Sequence, residues 1–225
     1  MCERNNEASS MVLTLYKMEG SPPVRAVQML ADLLKLKYTP VDVNLLAGEH
    51  LKPEFLEKNP NHTVPLLEDD GFYIGESHAI LTYLAEKYGE KHPQLYPKDL
   101  KLRNMVDQRL FFDASTILNA RAAAYGGIYR KKATGPTKEQ IEEVNGVYKT
   151  LETYLSKTKY VACDHLTIAD ISCLSSISSV EVLVPIDAKY VKLSAWINAL
   201  KKEEWHNHQG LEAAGFTSLI PKVVK

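Results

Sequence analysis

The order of strand and helix patterns between residues 11 and 90 limits the possible folds more than any other feature of this sequence. The patterns are, in order, a strand at 12–16, a helix at 24–34, a strand at 38–43, a strand beginning at 63, a hairpin turn at 69–71, a strand at 72–74 and an amphipathic helix at 77–88. A βαβ unit is thus followed by a ββα unit. Few small domains have this order.

The rest of the chain is predicted to be helical. Periodic apolar runs dominate after Asp99, and breakers such as Gly126 and Gly127 separate them. Thr167 and Asp170 have the spacing of a capping box, which predicts the start of a buried helix in the apolar run that follows. We therefore interpret Asp170 as a structural residue.

A change in charge agrees with a domain boundary near residue 90. Residues 11–90 hold 7 Lys and Arg against 12 Asp and Glu, whereas residues 91–225 hold 19 against 14. A chain of 225 residues is long enough for two domains with cores of their own. The predicted organisation is a polar extension at 1–10, an α/β domain at 11–90, a linker at 91–98 and an all-helical domain at 99–225.

Several classes of protein are disfavoured. No apolar run approaches the roughly 18 residues of a membrane span, and the polar start lacks an apolar signal core. The three cysteines, Cys2, Cys163 and Cys173, show neither CxxC nor metal-ligand spacing, which argues against disulfides and bound metal and favours the reducing cytoplasm. Short basic clusters without interleaved aromatics argue against nucleic-acid binding.

Ser21 is the first candidate functional residue. It lies between the first strand and the first helix and is followed by Pro22 and Pro23, where a helix tolerates proline. A serine in this place is either a helix N-cap or a hydrogen-bond donor to a ligand, and its position alone leaves both open. Because no CxxC occupies this loop, a thioredoxin-type redox role is disfavoured.

Five motifs together carry a family resemblance. They are Leu15-Tyr16, Ser21-Pro22-Pro23-Val24-Arg25, Asn59-Pro60-Asn61-His62-Thr63-Val64-Pro65, Glu76-Ser77-His78-Ala79-Ile80 and Leu166-Thr167-Ile168-Ala169-Asp170. In order and spacing they resemble cytosolic glutathione transferases of the insect delta/epsilon type over residues 11–205. The second and fourth motifs are most like the epsilon class, since the delta class usually has arginine in place of His78. The resemblance implies a thioredoxin-like first domain, an all-helical second domain and a homodimer.

The resemblance gives Ser21 a catalytic role as donor of a hydrogen bond to the glutathione thiolate. A free thiol has a pKa of about 8.5, and lowering it by about two units requires roughly 2.7 kcal/mol. One hydrogen bond to a charged acceptor supplies about 1.5–3 kcal/mol. The start of the first helix would add roughly 0.3–1 kcal/mol. No general base is needed.

Further residues are implied to bind glutathione, which carries two carboxylates and one ammonium group. By the resemblance, Glu76 binds the γ-glutamyl ammonium and Ser77 the adjacent carboxylate, while the backbone of Val64, before a cis proline, pairs with the cysteinyl part. The whole implied set is His50, His62, Thr63, Val64, Pro65, Glu76, Ser77 and His78. By the same resemblance, His50 and His62 match positions that reach the glycyl carboxylate, and His78 is expected near both the glutathione site and the two-fold axis of the dimer.

The second substrate is expected between the first domain and the helix that follows Asp99. The residues predicted to line its pocket are Pro23, Asn119, Ala123, Gly126 and, in the C-terminal tail, Phe216. Epsilon relatives tend to have larger side chains at the helical positions, so a roomier pocket is predicted here.

The sequence therefore predicts an enzyme that conjugates glutathione, as co-substrate, to small hydrophobic electrophiles in detoxification, with no metal and no tightly bound cofactor. The main alternative is a binding protein that sequesters hydrophobic ligands or steroids with little or no catalysis. A third possibility, a scaffold module, is disfavoured because the sequence shows no extra interaction segment. The sequence does not identify the physiological electrophile, and it does not show whether the enzyme has peroxidase or dehydrochlorinase activity.

Overall fold

The computed structural model describes residues 13–130 and 132–206. Its strands and helices are β1 (Leu13–Lys17), α1 (Pro22–Leu33), β2 (Tyr38–Asp42), α2 (Pro53–Leu56), β3 (Leu66–Asp69), β4 (Phe72–Ile74), α3 (Ser77–Tyr88), α4 (Leu100–Phe112), α5 (Leu118–Tyr129), α6 (Lys138–Leu155), α7 (Ile168–Glu181) and α8 (Val191–Leu200). A π-helical turn, Asp113–Ile117, joins α4 to α5. The predicted βαβ–ββα order is confirmed, with the single-turn α2 as an unpredicted addition, and only helices follow it in the described residues.

The four strands form one mixed sheet in the order β2-β1-β3-β4. β2 runs parallel to β1, while β3 is antiparallel to both β1 and β4. Side chains alternate across β1, so that Leu13 and Leu15 join the core formed with α1 and α3 whereas Tyr16 packs edge-on against Phe55 on the other face. Helices on both faces of this sheet give the predicted thioredoxin-like domain.

The predicted hairpin turn is confirmed by its backbone. Asp70 and Gly71 alone connect β3 to β4, and their φ angles are 51° and 80°. Positive φ at both central residues is the requirement of a type I′ turn, whose twist matches that of the flanking strands.

Two predicted boundaries are wrong. β3 begins at Leu66 rather than Thr63, because Pro65 has no N–H to give to the ladder and Thr63 belongs to a loop held by Asn59. Gly126 and Gly127 do not break a helix, since α5 continues to Tyr129. Burial of Ala124 and Tyr125 before the glycines and of Ile128 after them outweighs the low helix propensity of glycine.

The helix α7 lies at the centre of the second domain and is buried along almost its whole length. The predicted capping box is confirmed, because Asp170 Oδ2 accepts hydrogen bonds at 2.9 Å from both the N–H and the hydroxyl of Thr167. Asp170 Oδ1 accepts two more, from Val161 N–H and Trp196 Nε1–H. Within residues 13–130 and 132–206, no helix is both long and apolar enough to cross a bilayer.

Candidate functional site

A tight turn between β1 and α1 positions Ser21. The Ser21 N–H donates to the Met18 carbonyl oxygen at 3.3 Å, and Gly20 inside the turn has a φ of 78°. A residue with a Cβ would be strained at that angle, so glycine is required there. Lys17 forms an ion pair with Glu19, which ties the turn to the end of β1. Ser21 therefore has a fixed backbone.

The Ser21 hydroxyl is not used to cap α1. Its backbone angles are those of an N-cap residue, yet its side chain makes no capping hydrogen bond. Pro22 and Pro23 occupy the first two helical positions and have no N–H to offer. Of the two roles that the sequence left open, the hydroxyl is thus available for the ligand role. The same prolines remove two N–H groups from the helix start, so the predicted helix-end contribution to anion binding is weaker than expected.

Two cavities share Pro23 in their walls. The smaller, of about 220 Å³, is lined by Pro23, by Ala114 and Leu118 from the second domain, and by six of the eight predicted glutathione residues: Thr63, Val64, Pro65, Glu76, Ser77 and His78. The larger, of about 610 Å³, is lined by Ser21 and by side chains that include Leu45, Leu46, Arg121, Ile128 and Tyr129. A ligand seated in the smaller cavity can extend past Pro23 towards Ser21.

The loop before β3 forms one wall of the smaller cavity. The buried Asn59 supports it, because its Nδ2 donates to the carbonyl oxygen of Thr63 at 2.9 Å. The peptide bond between Val64 and Pro65 is cis, as the resemblance implied. The sequence alone shows neither the hydrogen bond from the buried Asn59 to Thr63 nor the isomer of the bond before Pro65.

Glu76 and Ser77 form the opposite wall at the start of α3. Glu76 has φ 62° and ψ 110°, a conformation that residues with a Cβ rarely adopt. Such outliers persist where the surroundings over-determine them, and they cluster at ligand-binding sites. The Glu76 carboxylate accepts a hydrogen bond from Asn61 Nδ2 at 2.9 Å, and Ser77 is buried. The carboxylate remains exposed at the cavity mouth, where a cation can reach it.

His78 connects the two domains through a residue that the sequence did not single out. Its Nε2 lies 2.9 Å from Oδ2 of Asp113, whose side chain is 1% exposed. The same oxygen accepts a hydrogen bond of 2.5 Å from Ser172 on α7, and Oδ1 of Asp113 has no partner among the described residues. Asp113 opens the π-helical turn, and such turns are frequent at functional sites. The sequence signal that could have identified Asp113 is a single acidic residue among apolar neighbours.

His50 and His62 line neither of these two cavities. Their rings lie side by side with centroids 6.0 Å apart, and His62 directly precedes Thr63 in the cavity wall. The Nδ1 atom of His50 is buried and has no hydrogen-bond partner in the described part of the chain. The two imidazoles are therefore neighbours, and His62 is adjacent in the chain to a residue of the cavity wall.

The three α5 residues predicted to line the hydrophobic pocket also line neither cavity. Asn119 turns its side chain back to the Ser115 carbonyl oxygen, and the Ala123 carbonyl oxygen accepts from Gln140 of α6. Gly126 faces the Arg130 side chain instead. The π-helical turn before α5 changes the rotational phase of the helix, and Arg121, Ile128 and Tyr129 are the α5 residues that face the larger cavity. Phe216 lies outside the described residues.

Comparison with known proteins identifies the family. Residues 15–92 match the family model for the glutathione S-transferase N-terminal domain, and residues 115–204 match that for the C-terminal domain. The chain belongs to the glutathione S-transferase family. Glutathione S-transferase 1 of Manduca sexta is 45% identical over 190 residues, which are 83% of this chain and 87% of the relative.

Solved structures place this transferase with the insect delta/epsilon enzymes. An epsilon-class glutathione S-transferase from the housefly, Musca domestica, is 41% identical and superposes with a TM-score of 0.85 over 92% of this chain and 95% of its own. A glutathione transferase homologue from Drosophila mojavensis, solved with bound glutathione, is 40% identical with a TM-score of 0.86 over 93% and 96% of the two chains. The chain is therefore a glutathione-conjugating enzyme with a thioredoxin-like domain and a helical domain.

Proposed function

We propose that this transferase attacks small hydrophobic electrophiles with the glutathione thiolate, and that the Ser21 hydroxyl donates a hydrogen bond to the sulfur. The observation that carries the proposal is the hydroxyl of Ser21, which makes no capping bond and lines the larger cavity together with Pro23. Glutathione bound in the smaller cavity would have its sulfur near Pro23, which both cavities share. An apolar acceptor in the larger cavity then meets the thiolate.

The chemistry is a nucleophilic addition or substitution. The thiol proton leaves to solvent when glutathione binds, and the sulfur lone pair forms a bond to an electron-poor carbon. In a substitution the leaving group departs with its bonding electrons, and in an addition the electron pair displaced from the multiple bond of the acceptor takes up a proton from solvent. Holding the two reactants together in adjoining cavities supplies much of the rate enhancement. The hydrogen bond from Ser21 keeps the sulfur ionised near neutral pH, and no protein base or metal takes part in these steps.

We propose that the walls of the smaller cavity bind the peptide part of glutathione. The exposed carboxylate of Glu76 would pair with the γ-glutamyl ammonium, Ser77 would bind the adjacent carboxylate and Val64 would pair through its backbone with the cysteinyl unit. Thr63, Pro65 and His78 complete these walls. The imidazoles of His50 and His62, 6.0 Å apart, would receive the glycyl carboxylate.

Glu76→Gln should raise KM for glutathione about tenfold or more while kcat changes less. The substitution removes the negative charge but retains the shape, and a charge-assisted hydrogen bond is worth about 1.5–3 kcal/mol. Steady-state kinetics with glutathione as the varied substrate will measure the effect. Glu86→Gln, which alters an exposed carboxylate of the same helix, is the matched control and should leave KM unchanged. An unchanged KM in Glu76→Gln would remove this residue from the site.

The assay that tests the proposed function is conjugation of glutathione to a chloronitrobenzene acceptor. Turnover well above the uncatalysed rate is expected, because both cavities are present and share Pro23 in their walls. A protein that binds glutathione and apolar ligands tightly in equilibrium dialysis, yet leaves the uncatalysed rate unchanged, would instead be the sequestering protein that the sequence left as its alternative.

We also propose a cytoplasmic homodimer in which the apolar residues exposed on β4 and α4 form the interface. Phe72 is 57% exposed and Phe111 is 72% exposed, and Met105 lies on the same helix as Phe111. A contiguous apolar patch made by such side chains would mark an interface. Light scattering of wild type should give twice the chain mass, and Phe111→Glu should shift the molecule to the monomer.

A further inference from the structure

The larger cavity has an unusual distribution of charge. Its walls are mostly apolar, with Leu45, Leu46 and Ile128 among them, and Leu46 is 92% exposed at the rim. Arg121 is the one charged side chain among the described residues that line it, and no Asp or Glu is in that group. An apolar cavity with a single cation in its wall suits a ligand that has an apolar body and an anionic group.

Neutral groups hold the Arg121 guanidinium in place. Its Nε donates to the hydroxyl of Ser179 at 3.0 Å and its Nη2 donates to the hydroxyl of Tyr129 at 3.2 Å. The group lies over the ring of Tyr125, 4.7 Å from the centroid. It forms no ion pair with any described residue, and its Nη1 makes no hydrogen bond to one. Donors therefore remain for a ligand on a side chain that is already oriented.

A second arginine without a carboxylate partner lies behind the first. Arg25 is 7% exposed, and it donates to the hydroxyl and to the carbonyl oxygen of Ser175. Burial, together with the positive charge of Arg121, lowers the pKa of Arg25 to about 10. Among the described residues no acid neutralises either guanidinium. Buried cations are normally paired, so an anion in the cavity would relieve an unfavourable charge distribution.

We infer that Arg121 is a specificity-determining residue and that this transferase prefers electrophiles with an apolar body and a carboxylate over neutral electrophiles of the same shape. The inference rests on the proposed function and narrows its substrate class. Arginine binds a carboxylate through two parallel N–H donors, and a group fixed in advance loses little freedom on binding. The apolar walls would hold the body of the electrophile while its carboxylate meets Arg121.

The test compares 4-chloro-3-nitrobenzoate with its methyl ester as acceptors. For each, kcat/KM is divided by the uncatalysed rate constant with glutathione, which removes the intrinsic difference in reactivity. The wild-type enzyme is expected to favour the carboxylate by about tenfold or more, the value of one hydrogen bond between charged groups. Arg121→Gln should bring this ratio to about one, Arg121→Lys should retain part of it, and Arg130→Gln, which changes an exposed arginine at the end of α5, should leave it unchanged.

The pKa of the enzyme-bound thiol separates this role from a general effect on the thiolate. If Arg121→Gln raises that pKa and slows both acceptors equally, the arginine serves the sulfur and the inference is overturned. A wild-type ratio near one also overturns it, and turnover of the ester then leaves the proposed function standing. If neither acceptor reacts, the proposed function itself fails, and the inference with it.

An inhibition measurement on the wild-type enzyme tests the inference without any substituted protein, so misfolding of a variant does not affect the result. The unreactive 3-nitrobenzoate should inhibit conjugation of the methyl ester at about tenfold lower concentration than 3-nitrobenzamide. The preference should shrink as salt is added, because the contact is ionic. Equal inhibition by the two compounds would overturn the inference without any variant.

Discussion

Ser21→Ala should lower kcat/KM for conjugation by about 10- to 150-fold and leave the affinity for glutathione nearly unchanged. The range is that of one hydrogen bond to a charged acceptor, about 1.5–3 kcal/mol. Because the bond is to the thiolate, its loss should raise the pKa of the bound thiol towards the free value of about 8.5. Glutathione keeps its contacts in the smaller cavity, and so its binding persists.

Ultraviolet titration of the enzyme-bound thiolate measures that pKa directly, beside steady-state kinetics. Ser21→Thr retains a hydroxyl and should recover part of the rate, whereas Ser156→Ala, at the exposed end of α6, should behave as wild type. A bound thiol in the wild-type enzyme with the pKa of free glutathione would exclude the role proposed for Ser21. Equal rates in Ser21→Ala and wild type would do the same.

Asp170→Ala should lower the free energy of unfolding by about 3–5 kcal/mol. Its carboxylate accepts four hydrogen bonds in a fully buried place, and removal leaves the N–H groups of Val161, Thr167 and Trp196 without an acceptor. Each buried unsatisfied group costs about 1–3 kcal/mol, and relief of the buried charge offsets part of that sum. Urea unfolding followed by circular dichroism will measure the change.

The chain contains a matched control for this substitution. Gln140 holds the same position in the capping box of α6, where the capping hydrogen bond is exposed to solvent, and its Nε2 also donates to the carbonyl oxygen of Ala123 in a half-buried place. Gln140→Ala removes these two bonds and should therefore cost only about 2 kcal/mol. If Asp170→Ala and Gln140→Ala lower the free energy of unfolding by similar amounts, the capping motif and not the burial of Asp170 sets the loss.

Asp170 should also produce a measurable pH dependence. Burial raises its pKa to about 6, against the opposing effect of its four donors, whereas an unfolded Asp has a pKa of about 3.9. The native state then binds this proton more tightly, so the stabilisation is fully present below about pH 4 and is lost as the pH rises through about 6. The excess stability of wild type over Asp170→Asn should shrink between those values. An excess that grows with pH would mean that the four donors hold the carboxyl ionised.

The sequence predicted well where short-range rules decide the outcome. Two residues with positive φ make the hairpin turn at Asp70 and Gly71, and Thr167 and Asp170 satisfy each other within one helical turn. Local patterns of this kind need no knowledge of the rest of the chain. The six predicted glutathione residues that line one cavity come instead from two contiguous motifs of the family resemblance, and their role in binding stays a prediction.

Side chains that are far apart in the sequence lie together around the site, and only the tertiary structure decided which ones do. Arg25 meets Ser175 across 150 positions, and His78 meets Asp113 on a turn whose i→i+5 hydrogen bonds have no periodic signature. That turn sets which face of α5 is turned to the larger cavity, so Arg121 lies where the sequence favoured Asn119. Periodicity gives the existence of a helix but not its rotational phase after a π-helical turn. The sequence by itself thus determined the order of strands and helices and, through the family resemblance, the prediction that Ser21 is the donor to the thiolate. Only the tertiary structure decided that Arg121 lines the larger cavity, because the direction in which α5 presents its side chains depends on the π-helical turn before it.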